Sequence, residues 1–337
     1  MKRRRVRILV LQTAGIGDLI LSLPSIAALK NSFPDAEIDL MLHQRSRGLF
    51  EARNLQIHSI LYIDILQSRN IIYFLKHSIS LIKDLRQRRY DLVIDLYQVA
   101  SWYGALRRFV FLLLINGGKS VGRNTDGKGF FYDVSVPGKL FDKRHESLLM
   151  FDVVRKVSDS THPCSIELPD IEEYRQAGRK LLSDLRIDGQ GDMIVFLPCA
   201  FDKRKRWDKE NFVELAKRIK KEITHNIILV GCEAEEKELL EISDSFAERL
   251  KIVVNHSLKS IAGLFLHTRI VVANDTGITH LAGAAGCDIV VLFGGNIWHP
   301  ERFSPSGRGN ITVIHKKSLS DITVAEVYEA ISKMLKP

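Results

Sequence analysis

The sequence predicts an α/β protein of two doubly wound domains, each a parallel sheet flanked by helices. Three observations carry this. A chain of 337 residues exceeds what one ordinary hydrophobic core holds. Short β-branched apolar runs alternate with longer amphipathic stretches from end to end. One such run, residues 271–273, breaks into Asn274-Asp275-Thr276-Gly277 and is followed by small residues at helical spacing.

In the first half, residues 6–12 read as a buried strand, 16–31 as a helix, and 37–42 and 59–63 as strands. An amphipathic helix over 71–88, a strand over 91–96 and helices over 101–115 and 144–157 complete it. Strands separated by helices pair in parallel through right-handed crossovers. Residues 158–170, polar and carrying Pro163 and Pro169, read as a linker between domains at 1–160 and 171–337. The second half repeats the alternation: helices at 172–185, 209–221, 234–247, 260–266 and 324–335, and strands at 193–197, 226–230, 251–254, 289–293 and 311–314. Sheets of this kind bind ligands outside the carboxyl ends of their strands, so two in tandem are expected to face a central cleft.

The stretch 271–286 is the strongest local signal. A helix starting near Thr276 points backbone N–H groups and the positive end of its dipole away from the sheet, a setting suited to a phosphate or diphosphate. Gly277 permits close approach, Ala282, Gly283 and Ala284 permit close packing on the sheet, and His280 lies one turn along. The alternative is that Asp275 or Thr276 only caps the helix and His280 only packs.

Hydrophobic content of 45% and 26% charged residues describe a soluble globular protein. The four cysteines form no CxxC pair, which argues against zinc and for buried reduced thiols in a cytoplasmic protein. The net charge of +9 is one-sided. Residues 1–150 hold 23 Lys and Arg against 13 Asp and Glu, and the remainder 26 against 27. Such a field suits a membrane surface or a phosphorylated substrate, or is simply solvated; no nucleic-acid motif is visible, and nucleic acid is not expected. Lys2-Arg3-Arg4-Arg5 imitates the start of a signal peptide, but Gly15, Gly17 and Asp18 interrupt the apolar stretch behind it. The most apolar run, residues 109–115, is far too short to span a bilayer.

Three loops lie at predicted strand ends. Thr13-Ala14-Gly15-Ile16-Gly17-Asp18 is not a dinucleotide fingerprint, since GxGD replaces GxGxxG. Asp18 is either a helix-capping residue or a general base, and a helix N-terminus is expected to lower its pKa. Ala200-Phe201-Asp202-Lys203-Arg204-Lys205-Arg206-Trp207 places four cations where they would neutralise a diphosphate or form a solvated turn. After residue 230, Glu235 is a candidate ribose ligand or an ordinary first-turn acid. Residues 293–303, rich in Gly and Pro, could wall the same pocket.

Together these pieces resemble a family. Gly17-Asp18, Ser22-Leu23-Pro24 and Phe33-Pro34-Asp35-Ala36-Glu37 are similar to the opening of the ADP-heptose:lipopolysaccharide heptosyltransferases, glycosyltransferase family 9. Asp91-Leu92-Val93-Ile94-Asp95, Val121-Gly122-Arg123 and His145-Glu146 match its middle. Lys205-Arg206-Trp207, Asn274-Asp275-Thr276-Gly277 with His280, and Phe293-Gly294 with Pro300 and Arg302 match its second half. The resemblance implies a GT-B fold of two Rossmann-like domains, acceptor on the first and nucleotide sugar on the second. It implies inverting transfer of heptose from ADP-heptose to the inner core of lipopolysaccharide, without a metal or other cofactor.

By position, Asp18 would be the base and Lys205 would stabilise the departing diphosphate. Asp275, Thr276, Gly277, His280, Glu235 and Ala200 would hold the donor, with Asp275 on sugar hydroxyls. Thr13, Gly15, Gly17 and Arg123 would lie on the acceptor side. The implied acceptor is an acidic glycolipid of the lipid A–Kdo type at the inner face of the cytoplasmic membrane, with Arg107, Arg108 and residues 109–114 either a peripheral contact with that surface or a helix buried in the core, the reading the sequence favours. Two departures stand out: Gly295-Asn296 where the family usually has Pro-Thr, and Asp208 where it commonly has Pro. The first leaves open another nucleotide sugar or acceptor. A GT-B nucleotide-sugar epimerase, a non-catalytic copy and an NAD-dependent oxidoreductase are the other readings, the last disfavoured by the incomplete first loop.

Overall fold

The computed structural model describes residues 4–63, 71–187, 193–222, 226–295 and 299–336. The chain divides into two compact units, Met1–Cys164 and Ser165–Pro337. The first contains β1 (Arg7–Gln12), α1 (Ile16–Ser32), β2 (Glu37–His43), β3 (Ser59–Ile63), α2 (Ile71–Arg88), β4 (Leu92–Asp95), α3 (Trp102–Ile115), β5 (Lys119–Thr125), β6 (Val134–Gly138) and α4 (Glu146–Val154). The second opens with α5 (Ile171–Asp184), β7 (Met193–Leu197), α6 (Lys209–Glu222), β8 (Asn226–Val230), α7 (Glu236–Ser243), β9 (Lys251–Val253) and α8 (Leu258–Phe265). It continues through β10 (Ile270–Asn274), α9 (Gly277–Ala285), β11 (Asp288–Gly294), α10 (Pro300–Phe303), β12 (Ile311–Lys316) and α11 (Val324–Leu335).

Both units carry a six-stranded sheet of one topology. The orders are β3-β2-β1-β4-β5-β6 and, read from the corresponding edge, β9-β8-β7-β10-β11-β12. Every pairing is parallel. Parallel strands covered on both faces need continuous apolar sequence, and β7 and β10 are buried at every position. In each unit the strand order reverses once, between β1 and β4 and between β7 and β10, and that reversal opens the crevice where such sheets bind ligands.

The two strands not expected from sequence are β5 and β6. The first, Lys-Ser-Val-Gly-Arg-Asn-Thr, is polar and contains Gly122. The second contains Pro137, tolerated because β6 is an edge strand whose outer side needs no ladder hydrogen bond. Helix α7 is shorter than expected at both ends: residues 233–235 form a 3-10 turn before it, and it stops at Ser243. All four cysteines are free, but only Cys199 and Cys287 are buried; Cys164 and Cys232 are exposed, contrary to the expectation of buried thiols. Among the described residues no helix is long and apolar enough to cross a membrane.

Candidate active site

In the second unit, the turn after β10 and the loop after β7 converge on one spot. Asn274, the last residue of β10, is fully buried and acts as a brace: its Nδ2 donates to the Pro198 carbonyl at 2.6 Å and its Oδ1 accepts from the Trp207 amide at 2.9 Å. Trp207 is anchored in turn by Nε1 donating to the Ile322 carbonyl at 3.0 Å and by edge contact with Phe212. The loop is therefore tied at both ends to the sheet. Thr276 caps α9, its hydroxyl accepting from the Ile278 amide at 3.2 Å and its carbonyl from Thr279 at 3.1 Å. The Gly277 amide, first in the helix, meets no acceptor among the described residues.

The four-cation run splits by function. Arg204 forks onto Asp202 in an exposed 3-10 turn over Lys203–Lys205, as a solvated turn would. Lys205 turns inward, its Nζ 2.5 Å from Asp275 Oδ2. Arg206 also points in: its Nε donates to the Ala200 carbonyl at 2.7 Å and its guanidinium faces Glu235 and Glu238. One oxygen of Glu235 accepts from the Cys232 amide at 2.9 Å, closing a capping box. His280 lies buried one turn into α9. Gly283 packs against the backbone at Ser306 and Gly307, where a Cβ would come within 2.8 Å of the Ser306 carbonyl, so its smallness serves this segment rather than the sheet.

At the corresponding reversal in the first unit, Asp18 sits in the first turn of α1, after a Gly15 N-cap that offers no side chain. Gln12 Nε2 donates to the Asp18 carbonyl at 3.1 Å, fixing the turn to β1. Desolvation, with help from the nearby Glu146 carboxylate, raises the Asp18 pKa to about 6 against the amides of Gly15 and Asp18 and the Arg123 cation. This corrects the expected lowering: burial outweighs the helix N-terminus. A carboxyl titrating there suits proton abstraction near neutral pH.

Beneath Asp18 lies a charged network that no local sequence pattern reveals. Arg123 on β5 is buried and donates to Glu146 of α4 at 2.6 Å. Arg108 on α3 pairs with Asp95 at 2.9 Å and donates to the Thr13 hydroxyl at 3.3 Å. Tyr132 donates to the same Asp95 oxygen, Oδ2, 2.6 Å away. Burial raises the Asp95 pKa despite Arg108 beside it. Gly122 makes room for Tyr132, since a Cβ there would lie 2.4 Å from the ring. Of the two readings the sequence leaves for Arg107 and Arg108, membrane contact or buried helix, the structure shows the second, with Arg108 buried in this network. Gly17 is buried in the first turn of α1.

Of the loop after β11, residues 296–298 lie outside the described residues, so Asn296 is not placed. Gly295 adopts φ +81° and its amide donates to the Lys316 carbonyl at 3.1 Å. Proline can do neither, so the departure at this position is a real change of path. Among the described residues no group of three or more His, Cys, Asp or Glu is arranged to hold a metal ion.

Two Rossmann-like units in one chain, each with polar residues gathered at its strand-order reversal, define the GT-B class of fold. A family model described as glycosyltransferase family 9 (heptosyltransferase) matches residues 78–321, and the chain belongs to that family. It is 24% identical to lipopolysaccharide heptosyltransferase 3 of Escherichia coli K12 over 343 residues, 95% of each chain. Among solved structures it resembles a family 9 glycosyl transferase from Veillonella parvula, with a TM-score of 0.81 and 18% identity over 99% of this chain and 98% of that one. It also resembles E. coli heptosyltransferase WaaC with ADP, with a TM-score of 0.77 and 18% identity over 98% of this chain and all of that one.

Proposed function

We propose that this glycosyltransferase moves heptose from ADP-heptose to the inner core of lipopolysaccharide, inverting the anomeric centre. The observation that carries the reading is the Lys205–Asp275 pair beside the Thr276–Gly277 start of α9. A cation held next to a helix N-terminus stabilises the negative charge that develops on a departing diphosphate. Asp275 Oδ2 holds Lys205 in place and Oδ1 remains to accept from sugar hydroxyls. Ala200 and Glu235 line the loop beside them, Glu235 with its Oε1 toward Arg206, and His280 backs the turn from within α9.

In the first unit, Asp18 takes the proton of the acceptor hydroxyl. The freed oxygen bonds to the anomeric carbon as the carbon–oxygen bond to the β-phosphate breaks, and ADP leaves. Arg123 acts through Glu146 rather than at the surface, while Thr13, Gly15 and Gly17 shape the turn that presents Asp18. The acceptor is an acidic glycolipid of the lipid A–Kdo type, matched to the basic first half of the chain.

Isothermal calorimetry with ADP, UDP and GDP tests the donor half. ADP binds best, and Thr276→Val, which removes the cap hydroxyl, weakens it about fivefold to tenfold, equivalent to about 1 kcal/mol. Preference for UDP or GDP would leave the site standing and sink the ADP-heptose assignment. Product formation from ADP-heptose and a lipid A–Kdo acceptor then tests the transfer itself.

A further inference from the structure

Tyr97 stands just beyond the end of β4, on the strand that lies beside β1 at the switch in strand order. The Leu96 amide still donates to the Leu11 carbonyl at 3.0 Å, so the chain runs on alongside β1. That register brings Tyr97 level with Thr13, where the turn carrying Asp18 begins. Two contacts fix the residue there. Its amide donates to Asp95 Oδ1 at 3.0 Å, and its ring centre lies 6.0 Å from the Arg108 guanidinium carbon. Arg108 is itself held by Asp95 and Thr13, so the ring rests against a buried, braced cation.

The ring is fixed, yet its hydroxyl is unspent. Tyr97 is half-buried, as Asp18 is, and its phenol meets no hydrogen-bond partner among the described residues. Tyr132 is the contrast: its buried phenol donates to Asp95 Oδ2 at 2.6 Å. Burial, and next the Asp18 carboxylate, raises the pKa of the Tyr97 phenol against the pull of Arg108 and Arg107. The phenol therefore keeps its proton while Asp18 is ionised. The two groups offer opposite polarity to one crevice, with Asp18 accepting and Tyr97 donating.

We propose that Tyr97 binds the acceptor, donating a hydrogen bond to an oxygen adjacent to the hydroxyl that Asp18 deprotonates. The pair reads two neighbouring oxygens of a polyol: one gives its proton to Asp18, and the other accepts from Tyr97. A hydrogen bond donated to the attacking oxygen itself would make it a weaker nucleophile, which places the contact on its neighbour. An acceptor lacking that oxygen leaves the phenol unpaired and is used less well. The inference rests on Asp18 being the base of the transfer, and it adds what the acceptor must carry beside the reacting hydroxyl.

The test is initial-rate kinetics of Tyr97→Phe, which keeps the ring against Arg108, with ADP-heptose and a lipid A–Kdo acceptor. The expected result is a rise of about fivefold in KM for the acceptor, with KM for ADP-heptose unchanged. The acid limb near pH 6 and the melting temperature should match the wild type. Among acceptor analogues deoxygenated in turn at each carbon beside the attacked hydroxyl, one should be used equally by wild type and variant. An unchanged acceptor KM in Tyr97→Phe overturns the proposal. So does an acid limb displaced to higher pH, which would mean that the phenol donates to Asp18 instead. Asp18→Asn, assayed in parallel, separates the two readings: full activity there removes the base and leaves the Tyr97 contact to calorimetry with the acceptor alone. In that measurement binding about fivefold weaker to Tyr97→Phe supports the contact, and equal binding, or none to the wild type, overturns it.

Discussion

Asp18 stands between opposing influences, and its proton affinity is set by which one dominates. Burial and Glu146 raise its pKa to about 6, from an ordinary 3.8. This has a kinetic and a thermodynamic outcome. The first concerns activity: kcat/KM should fall as pH drops through about 6, and Asp18→Asn should lower kcat by about a hundredfold to ten-thousandfold, read in a transfer assay across pH. An unchanged acid limb in Glu146→Gln would detach that carboxylate from the titration. The second concerns stability. A carboxyl with a raised folded pKa favours the fold while protonated, and that contribution is lost as pH rises from about 4 to about 6. Asp18→Asn should therefore stabilise the protein at pH 8 by about 3 kcal/mol and leave it nearly unchanged near pH 4. Equal melting shifts at both pH values would show that the buried charge carries no such cost. The side-chain identity of Asp18 was legible in the sequence as a strand-end carboxylate; its pKa was not, because its burial and the approach of Glu146 arise only through the fold.

At the scale of elements, the strand-turn-helix from β10 to α9 forms largely as its local sequence dictates. A β-branched run makes the strand, Thr276 caps, and Gly286 ends the helix at φ +89°. Strands β5 and β6 were illegible because their positions are set by partners: β5 by β4 on one side, and Gly122 by the Tyr132 ring it must admit. The turn after β11 is a further case in which a single residue decides the path. Gly295→Pro cannot reach φ +81° and removes the amide that bonds to Lys316, so it should destabilise the protein by about 2 kcal/mol or more, read as a lower denaturant midpoint at unchanged slope. Wild-type stability in that variant would mean that the turn after β11 readily takes another conformation.

At the scale of the molecule, charge is divided as the chain is divided. The excess of basic residues lies within residues 1–150, and the remainder is nearly neutral. Exposed charges act over about 8–10 Å at moderate salt, so added salt should raise KM for an acidic glycolipid several-fold while changing KM for the nucleotide sugar much less. Initial rates against each substrate across an ionic-strength series check this, and a parallel rise in both constants would remove the first unit from acceptor steering.

The sequence by itself determined the alternation of strands and helices and the loops in which Asp18, Lys205, Asp275 and Thr276 stand. Those features depend on periodicity and on turn residues within a few positions of each other. Tertiary structure alone decided which cations of the 203–206 run point inward, that Asp95, Arg108 and Tyr132 form one network, and that α3 buries its arginines and exposes its leucines. Each depends on groups far apart in the chain meeting in a region of low dielectric, where an unpaired charge is too costly to persist and the partner overrides the local pattern.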